Sequence, residues 1–134
     1  MLEIIKKTIN MDLELYPNVS APIIEGYGHG YVNISGNKLT KTFILFPDKF
    51  IELDSENIKE ITNAVNLCKI QLDLILYGSL NSLDKSKYLN LKSSISIPIE
   101  FMHTNSACRT WSVLIAEGRN IGAIIEPTKM KINN

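Results

Sequence analysis

The run Leu72-Asp73-Leu74-Ile75-Leu76-Tyr77, closed by Gly78, narrows the fold more than any other segment of the chain. It is short and almost wholly apolar instead of alternating, the pattern of a strand covered on both faces. A strand of that kind needs a packed layer on each side, which points to an α/β domain with this run at the centre of its sheet.

The neighbouring patterns supply the layers. Ile58, Ile61, Val65 and Cys68 recur at helical spacing and predict an amphipathic helix from about Glu56 to Leu67, with Asp54-Ser55 as its capping residues. A short helix is expected over Asp84–Leu91, then a strand at Pro98–Met102. Thr104 is expected to cap a further helix that runs to about Glu117, and Gly118 ends it in a left-handed conformation. Ile121–Ile125 reads as a last strand. Before the central run, two β segments, Tyr31–Ile34 and Thr42–Phe46, flank a Gly36-Asn37 turn and read as a hairpin, and Phe50–Leu53 reads as a short additional strand. The expected fold is a single three-layer α/β domain over residues 21–134, with a mixed central sheet, an N-terminal β-hairpin and helices packed on the sheet. Residues 1–20 mix apolar and charged positions without a sustained period and read as an N-terminal arm.

Composition removes several function classes. Fourteen basic and fourteen acidic side chains cancel, so the chain lacks the positive field that holds DNA or RNA through phosphate neutralisation. The same balance removes long-range repulsion between copies and permits homo-oligomers. No apolar run approaches the roughly 18 residues that span a bilayer, and the first residues lack the features of a secretory or transit peptide. Cys68 and Cys108 lie far apart, outside any paired spacing, which suits reduced thiols in the cytoplasm or, for an organellar protein, the mitochondrial matrix.

Candidate chemistry is sparse. Gly26-Tyr27-Gly28-His29-Gly30 fails the dinucleotide spacing, since position 31 is tyrosine and a strand follows; it reads as a structural bend with His29 an ordinary loop residue. Cys108 and His103 straddle the start of a predicted helix, where a thiolate would be favoured. Positions i and i+5 face apart, however, and no third residue orients the histidine, so a packed thiol is the stronger reading. Cys68, Cys108, His29 and His103 lack the close pairing of a structural zinc site, and neither metal nor cofactor is expected.

The geometric case for a site lies at the sheet edge. Gly78-Ser79 follows one core strand, and His103-Thr104 follows another and opens a helix. If those strands are parallel neighbours, both loops leave the edge at which open α/β sheets bind ligands. Arg109 leans back toward that helix start and could complete an anion site; alternatively it pairs with Glu100 or Glu117 or lies over Trp111. Trp111, Leu114 and Ile115 form either a core stripe or a protein contact. The chain has only two arginines, so Arg119, beside Glu117 at the helix stop, suggests more than a helix cap, for which lysine would serve.

These residues carry a resemblance. Ile24-Glu25-Gly26-Tyr27-Gly28-His29-Gly30, Leu45-Phe46-Pro47, Tyr77-Gly78-Ser79 and the stretch from Thr104 to Arg119 are similar to a small α/β family that includes mitochondrial respiratory complex I assembly factor three and its bacterial relatives. The similarity spans about residues 22–127. It implies a three-layer domain and a non-catalytic role in building the membrane-bound NADH dehydrogenase. The implied partners are another assembly protein or subunits of that enzyme, with peripheral association to a membrane complex. Cys108, Arg109, Thr110, Glu117, Gly118 and Arg119 match the family pattern. Leu80, His103, Trp111 and Ser112 stand where the pattern has glycine, aspartate, tyrosine and asparagine, which weakens an enzymatic reading. The alternative is a small anionic-ligand-binding or hydrolytic domain built on Gly78, Ser79, His103, Thr104 and Arg109.

Overall fold

The computed structural model describes residues 21–54, 57–80 and 85–127; the expected N-terminal arm lies outside them. Among these residues, eight strands and three helices follow in the order β1 (Ile24–Gly28), β2 (Tyr31–Ile34), β3 (Asn37–Leu39), β4 (Phe43–Phe46), β5 (Lys49–Glu52), α1 (Ile58–Asn66), β6 (Leu74–Gly78), α2 (Lys85–Ser94), β7 (Ile99–Met102), α3 (Thr104–Ala116) and β8 (Ile121–Ile125). The first three form a small antiparallel sheet. The others form a mixed five-stranded sheet in the order β5-β4-β8-β6-β7, with β8, β6 and β7 mutually parallel and β4 antiparallel to both its neighbours.

Alternation along β4 shows how the layers are built. Phe43 and Leu45 point to one face of the large sheet, where they meet Leu76, Ala123 and Ile125, the α3 residues Ala107, Cys108, Trp111 and Ile115, and Val32, Ile34 and Leu39 of the small sheet. Ile44 and Phe46 point to the other face and pack with Ile75, Tyr77, Ile99 and Ile124 under α1 (Ile61, Val65) and α2 (Leu91). The result is the expected three-layer α/β arrangement: α3 with the small sheet, the five-stranded sheet, then α1 with α2.

Three expectations change. The middle strand is β8, not the Leu72–Tyr77 run; β6 lies beside it, interior and covered on both faces as its composition required. The hairpin partner of β2 is β3, not the Thr42–Phe46 run, which joins the large sheet. Its turn is Ser35-Gly36, with φ of 47° and 85°, the mirror-image geometry that suits a two-residue loop between twisted strands. Gly26 and Gly28 lie inside β1, with a bulge between Ile24 and Gly26, so only His29-Gly30 turns the chain.

Helix starts also differ by a residue or more. Asn57 caps α1, its Oδ1 accepting from the backbone N–H groups of Lys59 (2.8 Å) and Glu60 (3.2 Å). His103 caps α3 through Nδ1, which accepts from Asn105 N–H at 3.4 Å, and Thr104 is the first helical residue instead of the cap. Gly118 takes the left-handed conformation expected of it (φ 82°). Its N–H donates to Ile115 and that of Arg119 to Leu114, the paired bonds of a Schellman stop.

Candidate functional site

Parallel register brings three strand ends together. Gly78 is level with Met102 of β7 on one side and Ile125 of β8 on the other. Ser79, His103-Thr104 and Glu126 therefore leave the sheet at a single edge, where Ser79 N–H donates to Met102 (3.0 Å) and Glu126 N–H to Gly78 (2.9 Å).

Glu126 is the centre of this edge. Tyr77 Oη donates to its Oε2 at 2.5 Å, Ser79 Oγ to Oε1 at 2.9 Å, and Lys87 Nζ of α2 to Oε2 at 3.0 Å. Thr104 Oγ1, fully buried, donates to the Glu126 carbonyl at 2.7 Å. Burial is the largest influence on the carboxyl and opposes its charge. The hydrogen bonds from Tyr77, Lys87 and Ser79, with the Lys87 charge, together outweigh it and hold the group below its ordinary value of 4.5. Lys87 also lies over the Tyr77 ring, 5.1 Å from its centroid, and that ring stacks on Phe101. The edge is thus a closed polar cluster in which the carboxylate's two oxygens are occupied by groups of the same chain.

Gly78 allows α3 to sit this close. A Cβ at that position would lie 2.7 Å from the Ala107 Cβ and 3.1 Å from the Thr104 Cα, inside contact distance for both.

The remaining candidates divide along α3. Arg109 turns away from the edge: its Nη1 donates to Tyr27 Oη at 3.2 Å and its Nη2 lies 3.5 Å from Ser106 Oγ. Among the described residues no carboxylate pairs with it, so neither the Glu100 nor the Glu117 brace forms, and it does not lie over Trp111. Cys108 is 1% exposed, and burial pushes its thiol up to about 11 against the opposing pull of Arg109, so it is neutral at physiological pH. Trp111 is fully buried, its Nε1–H donating to the Pro22 carbonyl at 3.4 Å, which settles it as a core anchor. Glu117 and Arg119 stand at the far end of α3, roughly 20 Å along the helix axis from Thr104. Gly78, Ser79, Thr104 and the His103 cap are therefore gathered at one edge; Cys108, Arg109, Glu117 and Arg119 are not part of it.

Arg109 instead borders a groove of about 390 Å³ between β1 and α3, lined by Ile24, Glu25, Gly26, Tyr27, Cys108, Arg109, Ser112 and Val113. Three features escaped the sequence reading. Glu126 carried a signal, an acidic residue closing an apolar run just as Gly78 closes its own; Lys87 carried none, because only the packing of α2 brings it there. The Gly26 side of the groove was hidden by reading its glycines as a bend. No three of His, Cys, Asp and Glu gather as a metal-binding group among the described residues, and none of the described helices is long and apolar enough to cross a membrane.

Residues 24–126 match the model of a protein family of unknown function, DUF498/DUF598. The chain belongs to that family. Three solved structures illustrate the likeness of the fold. A Bordetella parapertussis protein is 20% identical with a TM-score of 0.66, the match covering 83% of this chain and 99% of that one. A Xanthomonas campestris protein is 20% identical with a TM-score of 0.64, covering 84% and 89%. A Bordetella pertussis protein described as a Mth938-like domain is 16% identical with a TM-score of 0.59, covering 83% and 89%. At these identities the shared property is the fold. No curated protein matches this DUF498/DUF598 chain.

Proposed function

We propose that the chain is a non-enzymatic protein-interaction module that assists assembly of a respiratory NADH dehydrogenase. The observation that carries the non-enzymatic part is the closed state of the sheet edge. Where an α/β enzyme would present free reactive groups, Glu126 spends both oxygens on Tyr77, Ser79 and Lys87. The nearby cysteine is a buried neutral thiol. The assembly role is supported by the resemblance of Thr104–Arg119 and the glycine-rich β1 segment to the family that includes a complex I assembly factor. The partner on this reading is another assembly protein or a subunit of the dehydrogenase, met at a peripheral position.

Affinity capture from native cells should recover subunits or assembly proteins of NADH dehydrogenase, and deletion should slow appearance of the assembled complex. A clean preparation without such a partner, together with normal assembly after deletion, would overturn the proposal.

A further inference from the structure

Gly26 stands beside the β1 bulge, and no packing of the described residues requires it to be glycine. A Cβ built there meets no atom of the described residues within 4 Å, in contrast to the crowded Gly78, and its φ is not among the positive values of the chain. A glycine within a strand costs conformational entropy and loses a cross-strand side chain. Besides the bulge at this position, such a glycine leaves the backbone open to close approach from outside the chain. Gly26 lies on the wall of the β1/α3 groove, where Ile24 and Tyr27 supply apolar surface and Val113 is left 56% exposed.

Arg109 shares this groove with an unfinished hydrogen-bond set. A guanidinium carries five N–H donors in a fork that matches a carboxylate. Here two contacts at 3.2 and 3.5 Å go to the neutral hydroxyls of Tyr27 and Ser106, and no carboxylate of the described residues neutralises the charge. Glu25, across the groove, accepts from Gly36 N–H at 2.7 Å and is held to its own hairpin. Among the described residues β1 pairs only with β2, and its other edge belongs to no ladder of theirs.

We infer that the β1/α3 groove binds an extended acidic segment of a partner protein, with an apolar side chain over Gly26 and a carboxylate on Arg109. This rests on the interaction-module reading and assigns that module its contact face. The exposed Val113 and the open strand edge favour a polypeptide over a small acid, because a chain laid along β1 covers both at once.

The test is selection of a random-peptide display library on the intact protein, followed by anisotropy titration of the enriched peptides and NMR mapping of the contact. Enriched peptides should combine an apolar residue with Asp or Glu, lose affinity when that acid becomes its amide, and shift the signals of Tyr27, Gly26 and Val113. Arg109→Lys should weaken them roughly tenfold, as expected for loss of a charged bidentate contact. Gly26→Leu should abolish binding while leaving the thermal midpoint near wild type, since a Cβ there meets no atom of the described residues within 4 Å. Absence of enriched peptides, equal affinity of acid and amide forms, or undiminished binding by a folded Gly26→Leu variant would each overturn the inference. Hexanoate that titrates the same signals as tightly as the peptides would overturn it in favour of a small-acid site. If Gly26→Leu still captures NADH dehydrogenase components from cells, the groove fails while the assembly proposal stands; if the peptides bind and no such component is captured, the reverse holds.

Discussion

Single side chains in this fold derive their importance from how many elements meet at them. Gly78 is the clearest case: Gly78→Ala would push Cβ into both the Ala107 side chain and the α3 backbone. We expect a loss of about 1–3 kcal/mol, the usual range for overpacking, read from the urea midpoint. Glu126 sets a pH dependence of known sign. Its folded carboxyl titrates below 4.5, so its contribution to stability is complete at neutral pH and is lost as pH falls from about 4.5 through the lower folded value. Glu126→Gln should cost about 1–3 kcal/mol at pH 7 through weakened charged hydrogen bonds, and the gap between wild type and variant should shrink on acidification in a pH series of denaturant melts. Cys108, buried with its thiol pushed up to about 11, should resist iodoacetamide at pH 8 and react at the rate of unfolding, whereas half-buried Cys68 reacts first; peptide mapping of a labelling time course distinguishes them.

At the scale of elements, caps and stops carry local information and core stripes carry the rest. Gly118→Ala places a side chain at φ 82°, and we expect about 1 kcal/mol of destabilisation, visible as a lowered thermal midpoint without change in the folded spectrum. Ile61 and Val65 in α1, and Trp111 and Ile115 in α3, were legible because helical spacing alone places them on one face. β4 was not, since an apolar run after a turn fits a hairpin as well as it fits a sheet interior. What decides is pairing with β8, which sets Phe43 opposite Ile125 across 82 positions of sequence. No local pattern encodes that. The caps were missed for a related reason: Asp54, Ser55 and Asn57 can all cap a helix, and the sequence does not say where the first turn starts. Of the candidate site, Gly78, Ser79 and Thr104 could be brought together from sequence by assuming parallel strands. Lys87 could not, because its approach to Glu126 depends on how α2 packs across the sheet.

Across the described residues as a whole, two hydrophobic cores share one sheet. Phe43 and Leu45 serve one core and Ile44 and Phe46 the other, so neither face can be lost alone without stripping β4 of half its packing. Trp111 fills the first core and Tyr77 the second. The strand order has a further consequence for how the protein is made. β8 follows every other described strand in sequence and yet occupies the middle of the large sheet, between β4 and β6. While a ribosome still holds β8 in its tunnel, the emerged chain has two half-sheets with bare apolar edges and nothing to join them. Nascent chains arrested at that stage should be degraded rapidly by added protease, and those extended until residue 127 is outside should become resistant in a single step. Synthesis thus leaves the growing polypeptide without a closed large sheet until its keystone strand emerges.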